Sequence, residues 1–149
     1  MRETSGNIWD FHEQGNWICI TTNGSVRKDG LAVMGRGVAL QAVKRIPALQ
    51  STLGKRLLSH GNHLHIFDSM KIITFPVKRE WNDGIADLTL IQRSAEELVR
   101  RWRHKISPDL VYLPRPGCGN GNLFWAQVRP MLNQILGRDF IVVSYDQGS

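Results

Sequence analysis

Two glycine-rich segments hold the residues whose types and spacing could do chemistry. The longer one covers residues 117–122 and reads Gly-Cys-Gly-Asn-Gly-Asn. Alternating glycines let successive backbone N–H groups point at one anion, so this segment predicts phosphate binding. It is not a Walker A loop, because Gly-Lys-Ser/Thr is missing, and it lacks the Gly-x-Gly-x-x-Gly spacing of dinucleotide-binding folds. The alternative is a flexible turn without a ligand.

The second segment comes earlier, where Gly35, Arg36 and Gly37 precede a helical pattern that begins at Val38. The first N–H groups of a helix have no partner within the helix, so such a junction attracts anions. Alone, this segment is equally typical of an ordinary helix start. Because a glycine-rich segment stands at a strand-to-helix junction twice in one chain, phosphate binding is the favoured interpretation.

Lys78 follows an apolar stretch that reads as a strand. Catalytic groups of α/β folds often lie just past a strand end. A lysine there can contact a phosphate, or it can act as a nucleophile if desolvation or a nearby cation such as Arg79 keeps its amine unprotonated. Most lysines are merely solvated, so the position alone does not decide between these roles.

The apolar pattern between these segments alternates between short strands and longer helices. Strands are predicted at residues 7–11, 17–22, 63–67, 71–76, 110–113 and 140–144. Helices are predicted at residues 38–58, with a possible break at Pro47, and at residues 88–102 and 124–136. This alternation predicts a layered α/β fold with a mostly parallel sheet, whose ligands bind outside the carboxyl ends of the strands.

Length and composition indicate one globular domain over residues 1–149, with apolar residues making up 42% of the chain. No apolar run is long enough to span a bilayer, and the first residues lack the apolar stretch of a signal peptide. We therefore expect a cytoplasmic monomer without a membrane partner. The net charge of +6 suits a polyanion, so nucleic acid is a possible partner, although the basic residues are spread along the chain.

The sequence gives no sign of a metal or a cofactor. Cys19 and Cys118 have no Cys-x-x-Cys spacing, so two free thiols are expected. His63 and His65 share one face of a predicted strand, but no third ligand is evident and a structural role is expected. Among the tryptophans, Trp81 and Trp125 flank the glycine-rich and lysine segments and are the candidates for contact with a ligand.

Taken together, these segments resemble the macrodomain family. The similarity is carried, in order, by residues 22–24, 33–41, 75–81 and 113–123, and it covers nearly the whole chain. The nearest branch is the one that holds the DNA ADP-ribosyl glycohydrolase antitoxins and a human relative, the terminal ADP-ribose protein glycohydrolase. The resemblance implies a three-layer α/β/α fold, with a mostly parallel mixed sheet and ADP-ribose bound in a cleft across the strand ends.

The resemblance also implies which residues contact ADP-ribose. The diphosphate would lie on the segment from Gly117 to Asn122, and an aromatic such as Tyr145 would stack on adenine, beside the position where Asn7 replaces the family's usual aspartate. The full set implied for binding is Asn7, Ile8, Gly35, Arg36, Gly37, Val38, Gly117, Cys118, Gly119, Asn120, Gly121, Asn122 and Tyr145.

The implied catalytic residues are Lys78 and Asn23, which match the lysine and the ribose-facing asparagine of the glycohydrolase branch. The human relative pairs its lysine with an aspartate, where this chain has Gly121. The implied activity is hydrolysis of an ADP-ribosyl linkage on nucleic acid or protein. The alternatives are a reader without turnover, a phosphatase of ADP-ribose 1″-phosphate, and a nucleic-acid-binding protein with a vestigial pocket. Residues 26–32 look longer than the antitoxin pattern and could extend over the distal ribose.

Overall fold

The computed structural model describes residues 1–103 and 109–145. In chain order its strands and helices are β1 (Arg2–Gly6), α1 (Ile8–Glu13), β2 (Trp17–Asn23), α2 (Gly37–Arg45), α3 (Pro47–His60), β3 (His65–Phe67), β4 (Ile72–Lys78), α4 (Leu88–Trp102), β5 (Val111–Pro114), α5 (Trp125–Ile135) and β6 (Phe140–Tyr145). No helix in the described part of the chain is long and apolar enough to cross a membrane.

The strands form one sheet in the order β1-β6-β5-β2-β4-β3. All neighbouring pairs are parallel except β3 and β4, which run antiparallel. The predicted mixed, mostly parallel sheet is therefore confirmed. Because β1, β2, β4, β5 and β6 run the same way, the chain leaves all five strands at one edge of the sheet.

Helices cover both faces of the sheet, as the predicted three-layer arrangement requires. Alternate residues of β2 supply the two cores: Trp17 and Cys19 pack with α4 and α5, whereas Ile18 and Ile20 pack with α1, α2 and α3. This alternation is the period-2 pattern of a strand buried on both faces. The sheet is therefore a rigid platform from which the loops at the carboxyl edge project.

The first predicted strand, residues 7–11, is wrong. The first strand is Arg2–Gly6, and the chain turns into α1 at Ile8. Asn7 caps that helix, because its side chain accepts a hydrogen bond of 3.0 Å from the Trp9 N–H. The polar residues of β1 lie at the sheet's edge and are mostly exposed, so they lack the apolar alternation by which strands are predicted.

The other predicted elements are found, with shifts of a few residues at their ends. The break at Pro47 is confirmed, since Pro47 begins α3. The helix predicted at residues 88–102 is α4, and Asp87 caps it by accepting from the Leu90 N–H at 3.1 Å. The strand predicted at residues 63–67 is shorter and begins at His65.

Candidate functional site

A cavity of about 860 Å³ crosses the carboxyl edge of the sheet, a volume suited to a small organic ligand. It receives residues from the ends of β1, β2, β4, β5 and β6 and from the start of α2. The predicted site residues that line it are Asn7, Ile8, Asn23, Gly35, Arg36, Gly37, Val38, Lys78, Gly117, Cys118, Gly119, Asn120, Gly121 and Tyr145.

Asn122 is the predicted site residue that does not line the cavity. Its backbone has a positive φ of 61°, and its side-chain amide donates to the Gly84 carbonyl at 2.7 Å. Asn122 therefore ties the glycine-rich segment to the loop before α4. Its side chain supports the loop that lines the cavity.

The strand order sets the sequence of groups along the cavity. Asn7 and Tyr145 leave the neighbouring strands β1 and β6, and Lys78 leaves β4. Four strand-to-strand steps separate β1 from β4, or about 19 Å at the usual spacing. The glycine-rich segment follows β5, so it lies between the two ends. The cavity is therefore an elongated cleft with chemically different ends and an anion-binding middle.

One wall of that middle is the start of α2. Its N-cap residue, Arg36, makes no side-chain capping bond, and the first turn holds no acidic residue. Gly37, Val38 and Ala39 all line the cleft. The unpaired N–H groups and the positive end of this helix therefore face the cavity, where they can cap an anion.

The opposite wall is the segment from Gly117 to Asn122. Within residues 1–103 and 109–145, the N–H groups of Asn120 and Gly121 donate to no backbone carbonyl, whereas Gly119 follows the bridge between Cys118 and Leu123 and the Asn122 N–H donates to the Gly119 carbonyl at 3.1 Å. Two successive free donors fit the nest expected from the sequence. The two walls approach closely, since a β-carbon on Gly37 would lie 2.9 Å from the Asn120 side-chain amide.

Gly121 has no room for a side chain. A β-carbon there would lie 2.3 Å from the Gly117 carbonyl oxygen, and a β-carbon on Gly117 would lie 2.6 Å from Ile91. Both contacts are far shorter than carbon atoms tolerate. The glycines therefore shape the loop, and the aspartate of the human relative cannot be accommodated at position 121 in this conformation.

Lys78 and Asn23 lie at the β4 end of the cleft. The Lys78 ammonium group donates to the Asn120 carbonyl at 3.3 Å. The Asn23 amide donates to the Val33 carbonyl at 3.0 Å, and its oxygen accepts from the Ser25 N–H at 2.9 Å. Lys78 thus reaches the central loop, while Asn23 holds the chain that leads to α2.

The charge of the cleft is positive. Arg36, Lys78 and Arg115 line it, and among the lining residues there is no aspartate or glutamate. This composition attracts an anionic ligand, and residues 1–103 and 109–145 place no carboxylate in the cleft to act as an acid or base. The Cys118 thiol is also no ready nucleophile, because partial burial raises its pKa against the weaker opposing effect of Arg115.

At the other end, Asn7 and Ile8 lie beside Tyr145 in the lining of the cleft. The Asn7 oxygen already accepts the capping bond from Trp9, so its amide group is the part available to a ligand. Tyr145 is 67% exposed, which leaves its ring free to stack. The roles of these residues toward adenine stay predictions.

Residues 26–32 do not line the cleft. They form a short hairpin with a bridge between Val26 and Ala32, and Ala32 exchanges hydrogen bonds with Gln50 of α3. Gly54 of α3 packs against the Gly30 carbonyl so closely that a β-carbon would lie 2.0 Å away. Residues 26–32 therefore pack on α3, and a role for them toward the distal ribose stays a prediction.

Sequence reasoning missed several lining residues at the ends of predicted strands, among them Thr21, Thr22 and Val143. Their position near the ends of predicted strands was the signal by which they could have been assigned to the site. Of the two tryptophans expected near a ligand, Trp81 lines the cleft. Trp125 does not, and its indole N–H donates to the Glu3 carboxylate at 3.1 Å. His63 lies 3.7 Å from Glu97, and no group of three or more metal-ligating side chains occurs in the described part of the chain.

No protein-family model matches the chain. Its sequence is 32% identical to proteins named DNA ADP-ribosyl glycohydrolase from Mycobacterium bovis and Mycobacterium tuberculosis, in an alignment that covers 68% of this chain and 31% of each relative. The chain thus spans about a third of the length of these curated relatives.

Solved structures share the fold over most of the chain. The macrodomain of Mycobacterium tuberculosis DarG superimposes with a TM-score of 0.69 at 26% identity and covers 89% of this chain and 90% of its own. The macrodomain of Thermus aquaticus DarG gives 0.72 at 24% identity, with 98% and 97% covered. Thermosipho africanus DarTG in complex with ADP-ribose gives 0.69 at 18% identity, with 88% and 38% covered. Together with the sheet order and the two glycine-rich walls of the cleft, these similarities show that the chain belongs to the macrodomain family.

Proposed function

We propose that this protein binds ADP-ribose in the cleft and hydrolyses an ADP-ribosyl linkage on DNA. The observation that carries the proposal is the arrangement of the cleft: two facing sets of free backbone N–H groups in the middle, and Lys78 at one end. A diphosphate is the group that two opposed N–H walls fit best. The proposal is supported by relatives named for this activity and by a DarTG neighbour solved with ADP-ribose.

The orientation follows from the two ends of the cleft. An adenine base suits the Asn7, Ile8 and Tyr145 end, where an apolar residue and an exposed aromatic lie together. The diphosphate then lies between Gly37 and Gly119, and the distal ribose reaches Asn23 and Lys78. In this orientation, the anomeric carbon of the distal ribose lies beside the lysine.

The proposed reaction is a displacement at that carbon. The bond from the anomeric carbon to the DNA base breaks, water supplies a hydroxyl group to the carbon, and a proton goes to the released base. Lys78 acts at the anomeric carbon, either as a nucleophile whose transient covalent bond water then breaks, or as an electrostatic and acid/base group that supplies the proton to the departing base. No carboxylate of the described residues lines the cleft, so Lys78 is the lining residue suited to this role.

Titration calorimetry with ADP-ribose tests the binding step. Gly35 lines the cleft and has nothing within 4 Å of a built β-carbon, so Gly35→Glu places a negative charge there without a clash at the β-carbon. Gly137 has equally open surroundings but does not line the cleft, which makes Gly137→Glu the matched control. We expect Gly35→Glu to abolish binding and Gly137→Glu to leave it intact. No binding by the unsubstituted protein would overturn the proposal.

Turnover is tested with a single-stranded oligonucleotide that carries ADP-ribose on one base. Release of ADP-ribose and recovery of the unmodified oligonucleotide are expected. Tight binding of ADP-ribose without release from this substrate would instead identify a reader. Release of inorganic phosphate from ADP-ribose 1″-phosphate, without cleavage of the oligonucleotide linkage, would identify a phosphatase.

A further inference from the structure

Trp81 is a large aromatic side chain at the mouth of the cleft. It is 57% exposed and belongs to the lining of the cavity, three residues past the last residue of β4. More than half of the residue is open to solvent, and a flat apolar surface beside a binding cleft is suited to covering a bound partner. The role proposed for the cleft leaves this surface unused.

The backbone that carries Trp81 is fixed by its neighbours. The Trp81 N–H donates to the Ser25 hydroxyl at 3.0 Å, and the Glu80 N–H donates to Asp83 at 3.0 Å. Arg79 pairs with Asp87, the cap of α4, at 2.9 Å. These contacts join the turn to the chain after β2 and to α4. The backbone that carries the ring is therefore held in place without a ligand, which lowers the entropy cost of ordering this turn on binding.

Trp81 lies at the end of the cleft where ADP-ribose has no base. The strand order puts Tyr145 at the far end and the Lys78 strand at this one. In the proposed function, the adenine takes the Tyr145 end. The group that extends past Lys78 is then whatever the ribose is attached to.

We propose that Trp81 stacks on the nucleobase that carries the ADP-ribose, so that the site binds base-linked ADP-ribose more tightly than free ADP-ribose. The proposal rests on the proposed function and names a residue that sets its substrate specificity. Aromatic side chains bind unpaired bases through their faces, and a base inside a duplex does not offer its face. The net charge of +6 also favours a substrate in which the ADP-ribose is attached to a polyanion.

The test compares two ligands on three variants, all in a Lys78→Ala background that prevents turnover. The ligands are free ADP-ribose and a short single-stranded oligodeoxynucleotide with ADP-ribose on one base. The variants are Trp81→Ala, Trp81→Phe and Phe124→Ala. Phe124 is the matched control because it is an aromatic that is 78% exposed, but it does not line the cleft.

Loss of one stacked base weakens binding by about tenfold or more. We expect Trp81→Ala to weaken the oligonucleotide by about that factor, with little change for ADP-ribose. Trp81→Phe should recover most of the loss, and Phe124→Ala should change neither ligand. Without the Lys78 substitution, Trp81→Ala should raise KM for the oligonucleotide more than it lowers kcat, because stacking contributes to ground-state binding.

Equal weakening of both ligands by Trp81→Ala would overturn the inference, since Trp81 would then contact ADP-ribose itself. Unchanged binding of the oligonucleotide would overturn it as well. Both results leave ADP-ribose binding by the unsubstituted protein in place, so they are distinct from a failure of the proposed function. Absence of that binding would overturn both.

Discussion

Asn23 of β2 and Lys78 of β4 are register partners across two parallel strands, although the register differs by one residue from that of the pairs before them. Thr22 pairs with Pro76, so a regular ladder would pair Asn23 with Val77, but a bulge shifts the register by one residue. A bulge bends the strand and re-aims the side chains that follow it. Val77 and Lys78 consequently both line the cleft. The bulge brings the proposed catalytic lysine level with the asparagine.

Replacing Lys78 by alanine should separate chemistry from binding. Among the described residues, the ammonium group makes one hydrogen bond, to the Asn120 carbonyl at 3.3 Å, so its loss leaves both N–H walls of the cleft in place. We expect the rate of ADP-ribose release from the modified oligonucleotide to fall by about 10²-fold or more, with ADP-ribose affinity changed only a few-fold. Single-turnover kinetics and calorimetry measure the two quantities.

Lys55→Ala is the control for that substitution, because Lys55 is an exposed lysine of α3 outside the cleft. It should leave both quantities unchanged. Turnover that survives Lys78→Ala would remove this lysine from the mechanism. A covalent role predicts in addition that a reducing agent added during turnover traps ADP-ribose on the protein, and that Lys78→Ala prevents the trapping.

Asn23 should matter for the shape of the cleft as well as for the ribose. Its side-chain amide group donates a hydrogen bond to the Val33 carbonyl, and its side-chain oxygen accepts one from the Ser25 N–H. Asn23→Ala removes both bonds and should lower the free energy of unfolding by about 2 kcal/mol, near 1 kcal/mol for each. Because Val33 leads to the start of α2, ADP-ribose affinity should fall too. Urea unfolding and calorimetry measure the two effects.

Asn16→Ala provides the comparison. Asn16 donates one side-chain bond to the Phe11 carbonyl at 3.0 Å and does not line the cleft. It should cost stability without changing ADP-ribose affinity. If Asn23→Ala also left affinity unchanged, the asparagine would not set the position of the α2 wall.

Gly121 should tolerate no side chain. A β-carbon would lie 2.3 Å from the Gly117 carbonyl, so Gly121→Ala must displace the loop and should lower the free energy of unfolding by about 1–3 kcal/mol or more. ADP-ribose affinity should fall with it, because the loop carries the free N–H donors. Gly35→Ala meets nothing within 4 Å and should be nearly neutral in unfolding experiments. Equal stability of the two variants would contradict the steric argument.

The glycine-rich segments and Lys78 could be located from the sequence, because a motif at the end of a recognisable parallel strand must lie at the carboxyl edge of the sheet. Which residues face each other across that edge depends on strand order, and local patterns do not contain it. The pairing of Asn23 with Lys78 requires β2 beside β4 and a bulge. Neither leaves a periodic signal in the sequence.

Two differences between the expected and the observed lining of the cleft have the same origin, which is contact between residues distant in the sequence. Asn122 looks like one more ligand of the loop, but its amide bonds to Gly84. Residues 26–32 look like an addition to the cleft, but Gly54 of α3 offers a surface without a side chain on which Gly30 packs. In both cases the two contacting residues are far apart in the sequence, so no local pattern indicates the contact.

Protonation of His65 should destabilise the fold. The side chain is buried on β3, and burial is the main cause that lowers its pKa below 6.5, with Arg56 and Arg101 acting in the same direction against a hydrogen bond to the Gly61 carbonyl. Below pH 6.5 the unfolded chain therefore binds a proton that the folded chain takes up only at lower pH. The free energy of unfolding should fall as the pH drops from about 7.5 to about 5.5. NMR titration of the imidazole should show His65 titrating below 6.5, and His65→Gln should flatten this part of the stability profile. A profile whose slope is unchanged by His65→Gln would assign the effect to another group.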